Sequence, residues 1–313
     1  MRFSRWCRVP WVRAFLAGLY VVALAAAVPH GAGGHARQGD WTSEEARRFW
    51  GPTRMSDAAG DDSEDGSGTE AARRRAAQRI TTSARHFAGV PTVGVIFYVG
   101  QDLKDHHCTA SVVHSPKGNL IITAGHCGLG DDAAFVPGYR SGADRQPYGI
   151  WPIDRTFIDP RRDDYGDGSD LDVAFATVTT DERGRPIERV TGANRLVRTP
   201  GFTNVVTVVG YPASDADPAD QAVRCTALTS RLEGHQQMKM RCDGFYSGTS
   251  GSPWFTRFDD RKGAGDIAGV LGGLNGGGPD GEDSDRVSYS PLNGDDVFAL
   301  YLDAINGREP RRD

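Results

Sequence analysis

Leu120-Ile121-Ile122-Thr123-Ala124-Gly125-His126-Cys127 is the stretch on which the fold of this chain turns. Its first four residues are branched, as strands prefer, and the small Ala-Gly pair ends the run with a histidine and a cysteine side by side. Runs of the same texture recur on both sides. They are Val90 to Val99, Ala110 to Val113, Val173 to Val178, Val205 to Val209 and Ile267 to Leu271, separated by Gly, Pro, Asp and Ser. Many short strands without interleaved helices predict an all-β sandwich or barrel. One helix is expected near the end, over Asp295 to Ile305. There Val297, Phe298, Tyr301, Ala304 and Ile305 make an apolar stripe, with Asp295 or Asp296 as cap and Gly307 as terminator.

Composition agrees. Of 313 residues, 38% are hydrophobic and 25% charged, which fits a soluble globular protein. Forty glycines against 4 methionines suit a turn-rich β chain better than a helical bundle. A net charge of -5 excludes the overall basic field of a nucleic-acid binder. Arg73 to Arg75 is a short basic run without an aromatic RNA-binding motif, so no nucleic-acid partner is expected. Gly276-Gly277-Gly278 lacks a following Lys-Ser/Thr and is read as a surface loop, not a phosphate cradle. Only Lys104, Lys117, Lys239 and Lys262 are lysines among 36 basic residues, a skew that points to a high-GC bacterial source.

The N-terminus reads as an export signal over residues 1–27. Arg2, Arg5, Arg8 and Arg13 precede the apolar stretch Ala14 to Val28, which is shorter than the about 20 residues a membrane span needs. Cleavage follows Ala25-Ala26-Ala27, or falls as late as Gly34-His35-Ala36. Residues 28–84 are expected to be a propeptide or disordered linker. They include the acidic run Asp61 to Asp65 and the arginines Arg73, Arg74, Arg75 and Arg79. A compact domain is expected over 85–313, in a secreted protein without stable membrane association once the signal is removed.

Cys7 lies in the signal, leaving Cys108, Cys127, Cys225 and Cys242. An even count in an exported protein favours two disulfides, for which three connectivities exist. The sequence-local pairing, Cys108 with Cys127 and Cys225 with Cys242, is the one expected. Each bridge would close a loop of about twenty residues, worth roughly 3 kcal/mol by chain entropy. His106, His107 and Cys108 are crowded, but no C-x-x-C or H-x-x-x-H spacing supports a zinc cage, and no metal is expected.

Three segments carry chemistry: Thr123 to Cys127; Asp172-Val173-Ala174-Phe175; and Gly248-Thr249-Ser250-Gly251-Ser252-Pro253. A serine hydroxyl needs an adjacent base to attack a carbonyl, and the oxyanion so formed needs converging N–H donors. Glycines flanking Ser250 let the chain turn sharply and let a substrate approach the backbone. His30, His35, His86, His106, His107, His114 and His235 are read as structural or solvated.

Together these segments resemble the chymotrypsin/trypsin-like serine peptidase family, in which histidine, aspartate and serine motifs follow in that order. The resemblance spans about Phe87 to Asn306. It implies two packed six-stranded antiparallel β-barrels with a C-terminal helix, the cleft lying between them. By that resemblance His126 is the general base, Asp172 its orienting acid and Ser250 the nucleophile, with Asp170 a rival acid. The N–H groups of Gly248 and Ser250 form the oxyanion hole, and Cys108–Cys127 is the family's histidine-loop disulfide. Val270 to Leu274, with Leu271, Gly272 and Gly273 at its centre, resembles the strand that pairs with substrate beside the specificity pocket. No cofactor is implied. The expected activity is a secreted endopeptidase acting on polypeptides as a monomer through an acyl-enzyme; the alternatives are a catalytically silent binding module and an esterase-like hydrolase.

Departures from the pattern are informative. Gly125 replaces the family's usual alanine, with little effect expected. Thr249 stands where digestive enzymes carry the aspartate that pairs with a new N-terminal ammonium, so Arg79-Ile80 is not a trypsin-style activation site. The Ser250-Gly251-Ser252-Pro253 form is closer to bacterial secreted members, including glutamyl endopeptidases. Those enzymes carry a pocket histidine where this chain has Leu271, which gives a substrate carboxylate no partner. Asp243 either selects a basic residue at the cleaved bond or is a turn aspartate beside Cys242.

Overall fold

A computed structural model describes residues 41–60, 82–281 and 283–310. The expected signal, the acidic run and the four arginines lie outside the described residues.

The first half is built from β1 (Ala59–Gly60), β3 (Val93–Val99), β4 (Asp105–Val113), β5 (Leu120–Thr123), β6 (Asp131–Pro137), β7 (Trp151–Ile158) and β8 (Ala174–Val178). Strand β2 (Arg85–His86) crosses to the second half. The order β4-β3-β6-β7-β8-β5 closes because β4 also pairs with β5, giving a six-stranded antiparallel barrel with β1 added in parallel on β4. Strands of this barrel are apolar on both faces. In β3, Val93, Val95, Phe97 and Val99 join one buried cluster, whereas Ile96 and Tyr98 join another. The first cluster runs on through Val209, Tyr211, Phe255, Ile267 and Val270, so one face of the barrel is cemented to the second half.

That half departs from expectation. It is a six-stranded sheet, β2-β11-β10-β14-β15-β9, beside a three-stranded sheet, β12-β13-β16, and not a second closed six-stranded barrel. Its strands are β9 (Arg195–Leu196), β10 (Val205–Gly210), β11 (Val223–Leu228), β12 (Ser230–Arg231), β13 (Gln237–Arg241), β14 (Pro253–Asp259), β15 (Ala264–Val270) and β16 (Val287–Pro291). The sheet edge at β15 is taken by the short parallel β9, and the two sheets are linked where the Gly272 N–H donates to Tyr289 O at 3.1 Å. Disulfides join Cys108 to Cys127 in the first half and Cys225 to Cys242 in the second.

Residues 41–60 belong to the compact structure, although the expected boundary at 85 leaves them out. Thr42 and Glu45 form a capping box that starts helix α1 (Ser43–Phe49), and Pro52 opens helix α2 (Pro52–Asp57). Ala46, Trp50 and Met55 are buried in the core, and the Trp50 indole donates to Asp132 O at 2.7 Å. Arg54 forks onto Asp105 at 2.7 and 2.6 Å while stacking on the Phe49 ring. Strand β1 then lays Ala59 and Gly60 beside His106 and His107.

A short helix, α3 (Glu188–Thr191), packs beside β4, and the expected C-terminal helix is present as α4 (Asp295–Asn306). Its N-cap is Gly294, so Asp295 and Asp296 occupy the first turn, where they complement the dipole without capping. Gly307 ends it at φ 64. The buried face is Val297, Leu300 and Ala304, with Tyr301 and Ile305 flanking; Phe298 turns out, under the Arg198 guanidinium. Among the described residues no helix is long and apolar enough to cross a membrane, and no cluster of ligating side chains could hold a metal.

Candidate active site

Sheet register brings the histidine and the aspartate together. Strands β5 and β8 pair Thr123 with Ala174, three residues before His126 and two after Asp172. A 3-10 turn over Gly166–Leu171 delivers Asp172 at its end. The carboxylate is fully buried and accepts four hydrogen bonds. Oδ2 takes the His126 Nδ1–H at 2.7 Å and the Gly273 N–H at 2.6 Å; Oδ1 takes the His126 backbone N–H at 2.7 Å and Arg162 Nε–H at 3.1 Å. Burial alone would push the Asp172 carboxyl up, but His126, Arg162 and the Gly273 N–H overcome it and hold it below the usual carboxylate range.

Asp170, the rival acid, turns away. It accepts from the Gln236 N–H at 3.0 Å and from Gln237 Nε2 at 2.9 Å, beside His235. The remaining described histidines have structural surroundings: His86 on Asp217, His106 on Asp102, His114 on Glu188. His107 is buried, its Nε2 3.2 Å from Tyr211 O, and burial pushes its pKa down to about 4, so it is neutral at neutral pH.

Ser250 lies on the turn between β13 and β14 and is buried. The turn is held against the first barrel: Thr109 N–H donates to Ser250 O at 2.8 Å, and Thr109 Oγ1 donates to Gly248 O at 3.0 Å. Gly251, at φ +83, is the point of closest approach. A Cβ there would lie 2.1 Å from Thr109 O, 2.2 Å from Thr123 Oγ1 and 3.0 Å from Ala124 N, so only glycine lets the serine turn press onto the histidine segment. Gly248, at φ +90, packs on the His107 ring, and its N–H has no acceptor among the described residues. Thr249 bonds within its own turn, its N–H and Oγ1 both donating to Tyr246 O.

The segment expected to pair with substrate is largely engaged already. Val270 is buried in β15, paired with Pro253 of β14. Leu271, Gly272, Gly273 and Leu274 donate their N–H groups to Ser252 O, Tyr289 O, Asp172 Oδ2 and Gln237 Oε1. Of these four residues, only the Gly272 carbonyl lacks a donor among the described residues. Gly277 is buried and not part of an exposed loop; its carbonyl accepts from the Tyr289 N–H at 2.6 Å, and a Cβ on it would strike Gly272. Asp243 is half-buried, and its backbone bonds both Thr82 O and the Ala84 N–H.

Two residues that contact this site lie outside the sequence motifs. Gln237 is buried and holds both Asp170 and Leu274. Arg162 is signalled only indirectly, by the glycine at 125: a Cβ there would lie 3.0 Å from Asp172 Oδ1 and 3.5 Å from Arg162 Cδ.

No protein-family model matches the chain, and no curated protein does. Solved structures do. The chain is similar to the protease Anisep from Arthrobacter nicotinovorans, at 24% identity and TM-score 0.60, over 71% of this chain and 99% of that one. It is similar to a thermostable serine protease from an extremophilic microorganism, at 22% identity and TM-score 0.59, over 69% and 97% of the two chains. A Glu endopeptidase matches at 15% identity and TM-score 0.51, over 72% of this chain and 99% of that one. Likeness at these identities defines the fold, and the fold is that of the chymotrypsin-like bacterial serine proteases.

Proposed function

We propose that this chain is a secreted serine endopeptidase, with Ser250 as nucleophile, His126 as general base and then acid, and Asp172 as the orienting carboxylate. One observation carries the reading. Asp172 grips His126 by both its ring and its backbone N–H, while Gly251 seats the serine turn on Thr123 and Ala124, next to that histidine.

The chemistry follows from this arrangement. An ionised carboxylate only accepts, so the imidazole proton sits on Nδ1 and Nε2 is the basic nitrogen. His126 takes the Ser250 proton as Oγ attacks the peptide carbonyl, and it returns that proton to the leaving amine. Water then repeats the sequence on the acyl-enzyme. The N–H groups of Gly248 and Ser250 serve the oxyanion. No cofactor takes part in these steps. The Gly272 carbonyl offers one acceptor to a substrate N–H. Leu271 is apolar and buried, which disfavours glutamate at the cleaved bond. Asp243 fits a turn aspartate better than a selector of basic residues, because its backbone is tied to residues 82 and 84. Two disulfides support an extracellular enzyme, and the protease neighbours support polypeptide substrates.

Ser250→Ala tests the reading on a casein-type substrate. The expected result is loss of hydrolysis with an unchanged melting temperature. Hydrolysis retained in the variant rejects the assignment. In the wild type, cleavage of ester substrates without new polypeptide termini favours the esterase alternative, and absence of both activities favours the binding module.

A further inference from the structure

Arg162 stands in the turn after β7, where its N–H donates to Asp159 O at 3.0 Å. Its guanidinium is mostly shielded, with 18% of the side chain exposed, and it donates through Nε to Asp172 Oδ1 at 3.1 Å. Its other end is held by Asp164. Asp172 is therefore shared between two groups that can both be cationic, the His126 ring on Oδ2 and Arg162 on Oδ1. Gly125 makes room for this. Its φ is not in the left-handed region, so its backbone does not require glycine. A Cβ there would lie 3.0 Å from Asp172 Oδ1 and in ordinary contact with Arg162 Cδ, so its absence eases the crowding around the shared carboxylate oxygen. Of the other charged groups nearby, Asp164 pairs with the far end of Arg162 and is half-exposed, whereas Asp170 accepts from Gln236 and Gln237, with His235 Nδ1 3.6 Å from its Oδ1.

We propose that Arg162 is a positioning residue that sets the pH range of the base, its fixed charge on Asp172 opposing a second positive charge on His126. The proposal rests on the peptidase reading for its catalytic consequence, though not for the electrostatics. A guanidinium on the shared carboxylate weakens the help Asp172 gives to an imidazolium and repels that cation directly. His126 then keeps its proton-accepting form to lower pH than it would without Arg162. For two cations on opposite oxygens of one carboxylate in a partly shielded site, the effect is about one pH unit after screening.

The test compares wild type with Arg162→Gln and Arg162→Lys by two measurements. One is the NMR titration midpoint of the His126 ring in the resting protein. The other is the acid limb of kcat/KM on a peptide substrate. Gln is expected to raise both midpoints by about one unit, with the alkaline plateau of kcat/KM falling less than about tenfold. Lys keeps the charge and is expected to restore most of the shift. Midpoints that stay put or fall in both variants, even with a lowered melting temperature, overturn the proposal and leave Arg162 a structural ion-pair partner. If Gln does not fold, the Lys variant decides: a midpoint more than one unit from wild type in either direction contradicts a charge-based role. A wild type without peptidase activity but with the expected NMR shift refutes the functional reading and not the electrostatics. Active enzyme with unmoved midpoints refutes this inference alone.

Discussion

The two halves of the molecule hold their shares of the site by different means. In the first, a closed barrel satisfies its own strand edges, and the register of β5 on β8 fixes where His126 and Asp172 meet. In the second, the sheets stay open, and Ser250 rides on a turn shaped by Gly248 and Gly251, both at positive φ. That turn is located by bonds that leave its own half: Thr109 grips Ser250 and Gly248 from the first barrel, and Gly60 abuts Ser247. The His126–Asp172 pair is thus set mainly within one barrel, with the Gly273 N–H added from the second half, whereas the position of Ser250 is a property of the interface. Damage within the barrel should therefore alter proton chemistry, and damage at the interface should alter the serine loop.

Asp172→Asn should break the first half of this contrast most severely. An amide cannot accept from both His126 N–H groups, Arg162 and Gly273, and it favours the wrong imidazole tautomer. A drop in kcat of about 10⁴-fold is expected, read on a peptide substrate at the alkaline plateau. The variant should also change acid stability. A carboxyl held below its unfolded value contributes stability that is fully present above about pH 4 and is lost as pH falls through the folded value. Denaturant titrations below about pH 4 should accordingly show a shallower loss in Asp172→Asn than in wild type. Equal slopes would mean that Asp172 is not held low.

A smaller effect should come from the interface. A Cβ at Gly60 would lie 2.0 Å from Ser247 Oγ and 2.7 Å from Gly248 N, so Gly60→Ala must shift the serine loop. Losing one oxyanion donor costs about 10²-fold, and a partial shift should lower kcat by about tenfold or somewhat more, with the His126 titration unmoved. Unchanged kcat would show that residues 41–60 do not support the loop.

What could be read from the sequence divides along the same line. The strands around Leu120–Thr123, Val93–Val99 and Val173–Val178 announce themselves because a buried strand is locally apolar. The terminal helix does so by its 3.6-residue stripe, although Leu300 rather than Phe298 lies on the buried face. The open second half was not legible, because closure depends on which strand edges pair and not on the strands themselves. Residues 41–60 carry a local helix-start signal, the Thr42-Ser43-Glu44-Glu45 capping box, but the acidic and arginine-rich sequence that follows hides their packing on the core. The apolar run behind Asp172 favours it over Asp170 in the sequence, and Asp172 is the aspartate that bonds His126. Arg162 and Gln237 lie outside every motif and come to the site only through the fold, one from the turn after β7 and the other from the start of β13.

The central claim is that Ser250, His126 and Asp172 work as one catalytic unit across the interface. Reaction of the processed protein with an organophosphonate, followed by peptide mapping, tests it most directly. Ser250 should carry the phosphonyl group in the wild type, and the label should vanish in His126→Ala while the protein stays folded. Label on another residue, or labelling of Ser250 that persists without the imidazole, would contradict the account.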